Sequence, residues 1–388
     1  MLKRFDIANI FSWIMWGVAI FAYFFQFPIS NLAKLIIPCL AAYLVLKVRE
    51  LKFEKKPLLL CIVFLICLTC SFAVAMAKET SLGRIIRFLF ILVAIVYSSF
   101  IKVKEYNVEV NVFINIAIGK ALLIIAIAIV IVLLGDYSVF RHWALTNGLG
   151  DIYFLNRFMP RIQVQGNALL VMAFIVEYIR KKRITSKLCI LLIGILFAGN
   201  FAYLLGLAFF IAYQVIKKGY AYLAGNKRCL PLAIGLVLII YLVVMPYLLK
   251  QIEQKADVSN QTRIEQAGVL LNANIITGEG LGNYIKASTP TRQYDGDMYF
   301  EMQTLYIINQ IGIVGILLFY SLVFVNVKKQ GIEKVIVYVI YLIYSFWNPY
   351  CFDTTQIIAT ILIINVSTKE LENIESSDCN GLLSRRGK

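Results

Sequence analysis

Charge is scarce in this chain and histidine almost absent: only 15 % of its 388 residues are Asp, Glu, Lys or Arg, and there is 1 His. Soluble domains carry about 25 % charged residues, so a water-facing shell around one core is excluded. The one histidine, His142, cannot build a multi-histidine metal site and reads as a surface residue on a loop. The cysteines show neither zinc spacing nor a disulfide framework. Cys39, Cys61, Cys67, Cys70, Cys189 and Cys229 fall in or beside apolar runs, Cys379 in a polar tail, and only Cys351 on an outer loop. No long soluble domain, low-complexity linker or internal repeat is visible. Gly278-Glu-Gly-Leu-Gly282 has a superficial dinucleotide spelling without the strand and helix context that such a fingerprint needs.

What is abundant is apolar: 60 % of the residues are hydrophobic. Runs of about 18 to 25 apolar residues recur, each long enough to cross a hydrocarbon core of about 30 Å. Backbone groups in lipid must be satisfied within the segment, so the runs read as helices. Together with several shorter ones they lie at about Ala8–Phe27, Leu32–Leu46, Pro57–Ala77, Ile85–Ile101, Asn111–Leu134, Val164–Ile179, Ile184–Gly199, Phe201–Ile216, Cys229–Leu249, Gln303–Phe324, Val335–Phe346 and Gln356–Val366. The first follows Lys3 and Arg4 without a small-residue cleavage site and reads as an uncleaved anchor. The expectation is an all-α polytopic membrane protein, one transmembrane domain over 1–388 with about twelve helices.

Lys and Arg favour the cytoplasmic side. Lys47, Arg49, Lys52, Lys55, Lys56, Lys102, Lys104, Arg180–Arg183, Lys217, Lys218, Lys227, Arg228, Lys328, Lys329 and Lys334 all fall there if Ile184–Ile216 is a hairpin turning at Gly199-Asn200. Both termini are then cytoplasmic, and the charge of +16 is a topology signal, not a nucleic-acid footprint. Two long extracytoplasmic loops remain, 135–163 and 250–302, and long loops on one face point to chemistry there.

Those loops and their borders hold basic residues on the disfavoured side: Lys78, Arg84, Arg87, Arg141, Arg157, Arg161, Arg263 and Arg292. Solvated charge or lipid headgroups account for any one of them; as a group they fit an anion such as phosphate, which guanidinium grips with two parallel hydrogen bonds. Gln163, Gln165 and Asn167 follow Arg161 and suit a sugar as well as ordinary interfacial polarity. Thr262-Arg-Ile-Glu265 has capping-box spacing ahead of Ile264, Ala267, Gly268, Leu271 and Ile275, which predicts a short amphipathic helix lying on the membrane, with Arg263 and free N–H groups open to an anion. Gly278, Gly280 and Gly282 allow a sharp turn and close approach to a ligand or a neighbouring helix, and a plain turn accounts for them equally well. Asp295-Gly-Asp297 has a metal-like spelling, yet two loop acids read as solvated, so no metal site is expected. Glu301 sits at the mouth of an apolar run, where a half-desolvated carboxylate suits a general base and a helix-start acid suits the dipole. Lys34 and Glu177 lie close enough to helix ends to snorkel, whereas Lys120 lies deeper in its run.

In these segments the chain resembles the bacterial O-antigen polymerase and O-antigen ligase superfamily. The resemblance rests on Arg161 with Gly166-Asn167-Ala168, on Ala198-Gly-Asn-Phe-Ala202, on Arg263 upstream of Gly278-Glu-Gly-Leu-Gly282, and on Glu301-Met-Gln-Thr-Leu305 with Gly312-Ile-Val-Gly315. It implies a glycosyltransferase at the outer face of the cytoplasmic (inner) membrane, polymerising undecaprenyl-pyrophosphate-linked repeat units without a cofactor. Arg161, Arg263 and Arg292 would hold pyrophosphate, Gln165, Asn167, Gly278, Gly280 and Gly282 the sugar or the loop backbone, and Glu301 would be the catalytic base. Implied partners are polyprenyl-pyrophosphate-linked glycans and membrane lipids, with a chain-length regulator and a flippase alongside, and no nucleic acid. Ligases of the superfamily carry His where this chain has Glu301, which favours a polymerase. The Arg-to-Gly spacing that some polymerases repeat in both loops is kept by neither Arg161 nor Arg263. A ligase or a non-enzymatic lipid-linked-sugar transporter are the alternatives.

Overall fold

The computed structural model describes residues 7–51, 55–101, 108–156, 159–225, 261–272, 274–290, 293–295, 300–346 and 348–366. Its α-helices are α1 (Ile7–Phe25), α2 (Ala33–Leu46), α3 (Lys55–Ala77), α4 (Leu82–Phe100), α5 (Val108–Leu134), α6 (Ser138–Thr146), α7 (Leu170–Lys181), α8 (Ser186–Ala198) and α9 (Phe201–Gly225). There follow α10 (261–271), α11 (Gln303–Lys328), α12 (Ile332–Phe346) and α13 (Thr354–Asn365). Five of them, α1, α3, α4, α5 and α11, are long and apolar enough to cross a membrane. Large apolar side chains such as Leu59, Leu133 and Leu317 point outward from these helices, as a lipid environment requires. The described part is therefore an all-α, membrane-embedded bundle.

Every expected run within the described residues overlaps a helix; Cys229–Leu249 lies outside them. The run expected from Val164 differs, because its helix starts only at Leu170. Residues 159–164 instead pair as an antiparallel hairpin, β1 (Gly150–Asn156) with β2 (Met159–Val164), in which Tyr153 stands opposite Arg161. Gly150 and Gly166 bracket this hairpin with positive φ; a side chain at Gly166 would meet the Tyr23 carbonyl. A second small hairpin, β3 (Lys286–Ser288) with β4 (Gln293–Asp295), follows α10.

At the core is α13, buried along its length from Thr355 to Asn365 and packed on α4, α7 and α12. Around it α1 packs on α2 and α5, α5 on α8, and α3 on α11. Lys120 is buried on α5, donating to the carbonyls of Gln165 at 3.0 Å and Phe27 at 3.3 Å. It thereby ties the end of α1 to the entry of α7. Glu177 does not snorkel: it is buried, 3.9 Å from Arg180. Lys34, by contrast, is exposed.

The long helix α11 is interrupted at Gly312, whose φ of 72° and ψ of 171° are not helical. In lipid the backbone groups freed by such a break need partners. Residues 274–282 supply them. Glu279 N–H donates to Asn309 O at 2.7 Å, Gly280 N–H to Gln310 O at 3.0 Å, and Ile313 N–H to Ile275 O at 2.8 Å. Gly282 N–H adds a bond to Gln310 Oε1 at 2.9 Å, and Leu281 N–H reaches Ser71 O on α3 at 3.2 Å. The glycine segment thus closely approaches a neighbouring helix.

Candidate functional site

A cavity of about 1050 Å³ opens among α1, α4, the β1–β2 hairpin, the α8–α9 turn, the start of α11 and the α12–α13 connection. Its wall includes Arg263, Glu301, Gln163, Gln165 and Asn167, brought together from both long connections. Arg84 and Arg87 of α4 add two guanidinium groups, and Tyr23, Tyr153, Tyr203, Tyr306 and Tyr350 add aromatic faces.

Helix α10 builds one side. Thr262 lies in its first described turn and is buried, and Glu265 accepts from the Gln261 side chain at 3.1 Å. Arg263, Gln266 and Leu270 share one face at helical spacing. Leu270 packs with Ile285, Tyr294, Phe300 and Tyr306. Gln266, fully buried, donates to the Tyr294 hydroxyl at 2.9 Å and accepts from Glu301 N–H at 3.1 Å. This fixes the mouth of α11 against α10, and stacking of Phe300 on Tyr294 at 5.1 Å and on Tyr306 at 4.8 Å braces it. Glu301 Oε2 then lies 3.2 Å from Arg263 Nε. Of the face expected to lie on the membrane, Ile264, Gly268 and Leu271 are exposed and Ala267 is half-buried, while Ile275 is exposed beyond the helix end.

Arg161 stands behind the wall. It is buried, donates to the Gly199 carbonyl at the α8 C-cap, and lies over the Tyr153 ring at 5.4 Å. Burial lowers its pKa from the usual arginine value, opposed by Tyr153. Gly278, Gly280 and Gly282 lie outside the cavity wall, in the segment that fills the α11 break. Arg292, Arg157 and Asp297 lie outside the described residues. Of the remaining loop cations, Lys78 pairs with Glu279, and Arg141 with Asp151 at 2.9 Å. His142 is exposed. Arg84 donates to the Tyr306 hydroxyl and the Asn283 carbonyl, each at 3.4 Å, and lies 4.7 Å over the Tyr284 ring.

The α4 arginines were visible in the sequence only as misplaced charge, and the α12–α13 connection gave one sign, the polar break Asn348-Pro-Tyr-Cys-Phe-Asp353 between apolar runs. In space that break contributes Tyr350 and Asp353 to the wall. Asn167 donates to the Ile162 carbonyl at 2.8 Å, while its Oδ1 is buried without a hydrogen-bond partner. The arrangement offers guanidinium donors for an anion, aromatic and amide groups for a polyol, and carboxylates for proton transfer.

The chain matches no protein-family model, no curated protein and no solved structure.

Proposed function

We propose that the chain is a membrane glycosyltransferase that polymerises lipid-linked oligosaccharide repeat units at the outer face of the cytoplasmic membrane. The observation that carries this is the convergence of Arg263, Glu301, Gln165 and Asn167 on one cavity. Three arginines line it, Arg84, Arg87 and Arg263, and a diphosphate leaving an anomeric carbon needs such fixed donors to stabilise its developing charge. Arg161 positions the Tyr153 wall from behind, and Arg292, which the resemblance assigns to the pyrophosphate, belongs to the part of the second loop outside the described residues. The amide and tyrosine groups face the neutral sugar, and a cavity carboxylate takes the proton of the acceptor hydroxyl, with Glu301 the carboxylate that the sequence nominates. The remainder of the proposal is about twelve spanning helices, both termini in the cytoplasm, loops 135–163 and 250–302 outside, and lipid-linked glycans as substrates with no nucleotide cofactor.

The test is incubation of purified protein with polyprenyl-pyrophosphate-linked repeat units extracted from cells lacking this chain. A ladder of products spaced by one repeat unit is expected. Material that stays monomeric, or that is transferred only to an added lipid core, would refute the polymerase.

A further inference from the structure

Besides Glu301, the cavity wall holds a second carboxyl group. Asp353 precedes α13 as its N-cap: Oδ1 accepts from Thr355 N–H at 2.8 Å and Oδ2 from the Thr355 hydroxyl at 2.9 Å. A carboxylate has about four acceptor positions, so capping leaves room for another donor. The side chain is half-buried at the wall. Thr355 Oγ1 in turn lies 3.2 Å from the Tyr23 hydroxyl, another wall group. The titratable groups acting on Asp353 are Tyr23 from α1, Arg87 from α4, Tyr341 and Tyr344 from α12, and Tyr350 and Cys351 from its own loop. Glu301 and Asp353 both line this one cavity. Their settings differ. Glu301 lies 3.2 Å from the Arg263 guanidinium, whereas the Asp353 oxygens accept from the Thr355 N–H and hydroxyl.

We propose that Asp353 is the proton-accepting carboxylate of this cavity and that Glu301 is a positioning residue for Arg263. The proposal rests on the glycosyl-transfer reading. As the acceptor oxygen bonds to the anomeric carbon, its proton passes to the Asp353 carboxylate. The bond from that carbon to the phosphate oxygen breaks, and its electron pair leaves with the diphosphate, whose charge the arginines meet. Asp353 afterwards returns the proton to water. Burial pushes its carboxyl up to about 7, where both acceptance and release proceed near neutral pH.

Asn and Ser cap helices about as well as Asp, so Asp353→Asn and Asp353→Ser preserve the start of α13 while removing the titrating group. With lipid-linked repeat units from cells lacking this chain as the probe, kcat should fall about 10²- to 10⁴-fold in both variants at normal membrane abundance. The rise of rate with pH through neutrality should disappear with it. Glu301→Gln should raise KM for the lipid-linked donor more than it lowers kcat. If the wild type builds a ladder and either Asp353 variant keeps more than half of its kcat, the proposal is overturned and the glycosyl-transfer reading stands. Loss of membrane abundance in both variants would assign Asp353 to folding and overturn it likewise. No ladder from the wild type would overturn both.

Discussion

In Arg161 the guanidinium donates to the carbonyl that ends α8 and lies over Tyr153, whereas in Arg263 it meets a carboxylate inside the cavity. Equal charge therefore serves unequal ends, and the same substitution separates them. Lysine keeps the charge but loses the planar fork and the flat stacking surface. A buried hydrogen bond from a charged group contributes about 1.5–3 kcal/mol, so Arg161→Lys should lower the unfolding temperature in detergent and the amount of protein in the membrane. Arg263→Lys should leave both near wild type and shorten the polymer. Equal thermal shifts in the two variants would contradict the division. Asp353 gives a pH-dependent expectation. Its folded pKa of about 7 exceeds the unfolded value of about 3.9. Over that window the folded state binds a proton that the unfolded chain has released, so this group's contribution to stability is fully present at low pH and falls as pH rises. The unfolding temperature of Asp353→Asn relative to wild type should therefore climb from pH 4 to pH 7; a constant difference would show that the carboxyl does not titrate there. Neither role is legible locally. An Asp before Thr-Thr reads as a helix cap, and nothing in the sequence places it beside Arg87 and Tyr23, which come from helices hundreds of residues earlier in the chain.

The break in α11 and the segment that fills it form one structural unit. A Cβ on Gly312 would lie 2.1 Å from the Ile276 carbonyl, and one on Gly278 2.5 Å from the Gln310 carbonyl. Both glycines also have positive φ, which costs a side chain about 1–2 kcal/mol before any clash. Gly268 differs: it lies in α10, where an added methyl would meet nothing within 4 Å, and Ala exceeds Gly in a helix interior by about 0.5–1 kcal/mol. Gly312→Ala and Gly278→Ala should thus destabilise the protein and lower its abundance, while Gly268→Ala should be neutral or slightly stabilising. Thermal unfolding of the three variants in one detergent checks this, and a stable Gly312→Ala would mean that the loop does not insert at the break. Hydropathy placed α11 well because its apolar run is long, and the glycines announced close packing. The partner of that packing was hidden, since hydrogen bonds between residues 275–280 and 309–313 have no periodic signature. The β1–β2 hairpin was hidden for a similar reason: its strands are short, and the apolar pattern assigns residues up to 163 to a loop and only Val164 to the run that follows.

At the level of the bundle, Glu333 joins distant parts of the chain, lying 3.1 Å from Lys182 and 3.4 Å from Lys217. Lys182 precedes α8 and Lys217 lies in the C-terminal half of α9, so the start of α8 and the later part of α9 meet at one end of the bundle. The turn between them, with Gly199 in the left-handed conformation, meets Arg161 toward the cavity end. A helix of the length of α8 rises about 20 Å, which separates the cavity from Glu333 by much of a hydrocarbon core. Charge statistics alone required the hairpin, to keep two basic clusters on one side, and the shared carboxylate gives that requirement a physical basis. Helix positions and the hairpin were therefore readable from apolar runs and basic clusters, whereas the cavity, assembled from side chains of many runs, was not. The arrangement makes a sidedness prediction. On a cysteine-free background, Lys217→Cys should react with an impermeant maleimide only after the membrane is opened. Asn147→Cys, at an exposed position beyond α6, should react in intact spheroplasts. Labelling of Lys217→Cys from outside would invert the orientation and turn the cavity toward the cytoplasm, where lipid-linked units that have already crossed the membrane could not reach it. Labelling of both positions from one side would separate the Glu333 end from the interior and break the hairpin assignment itself.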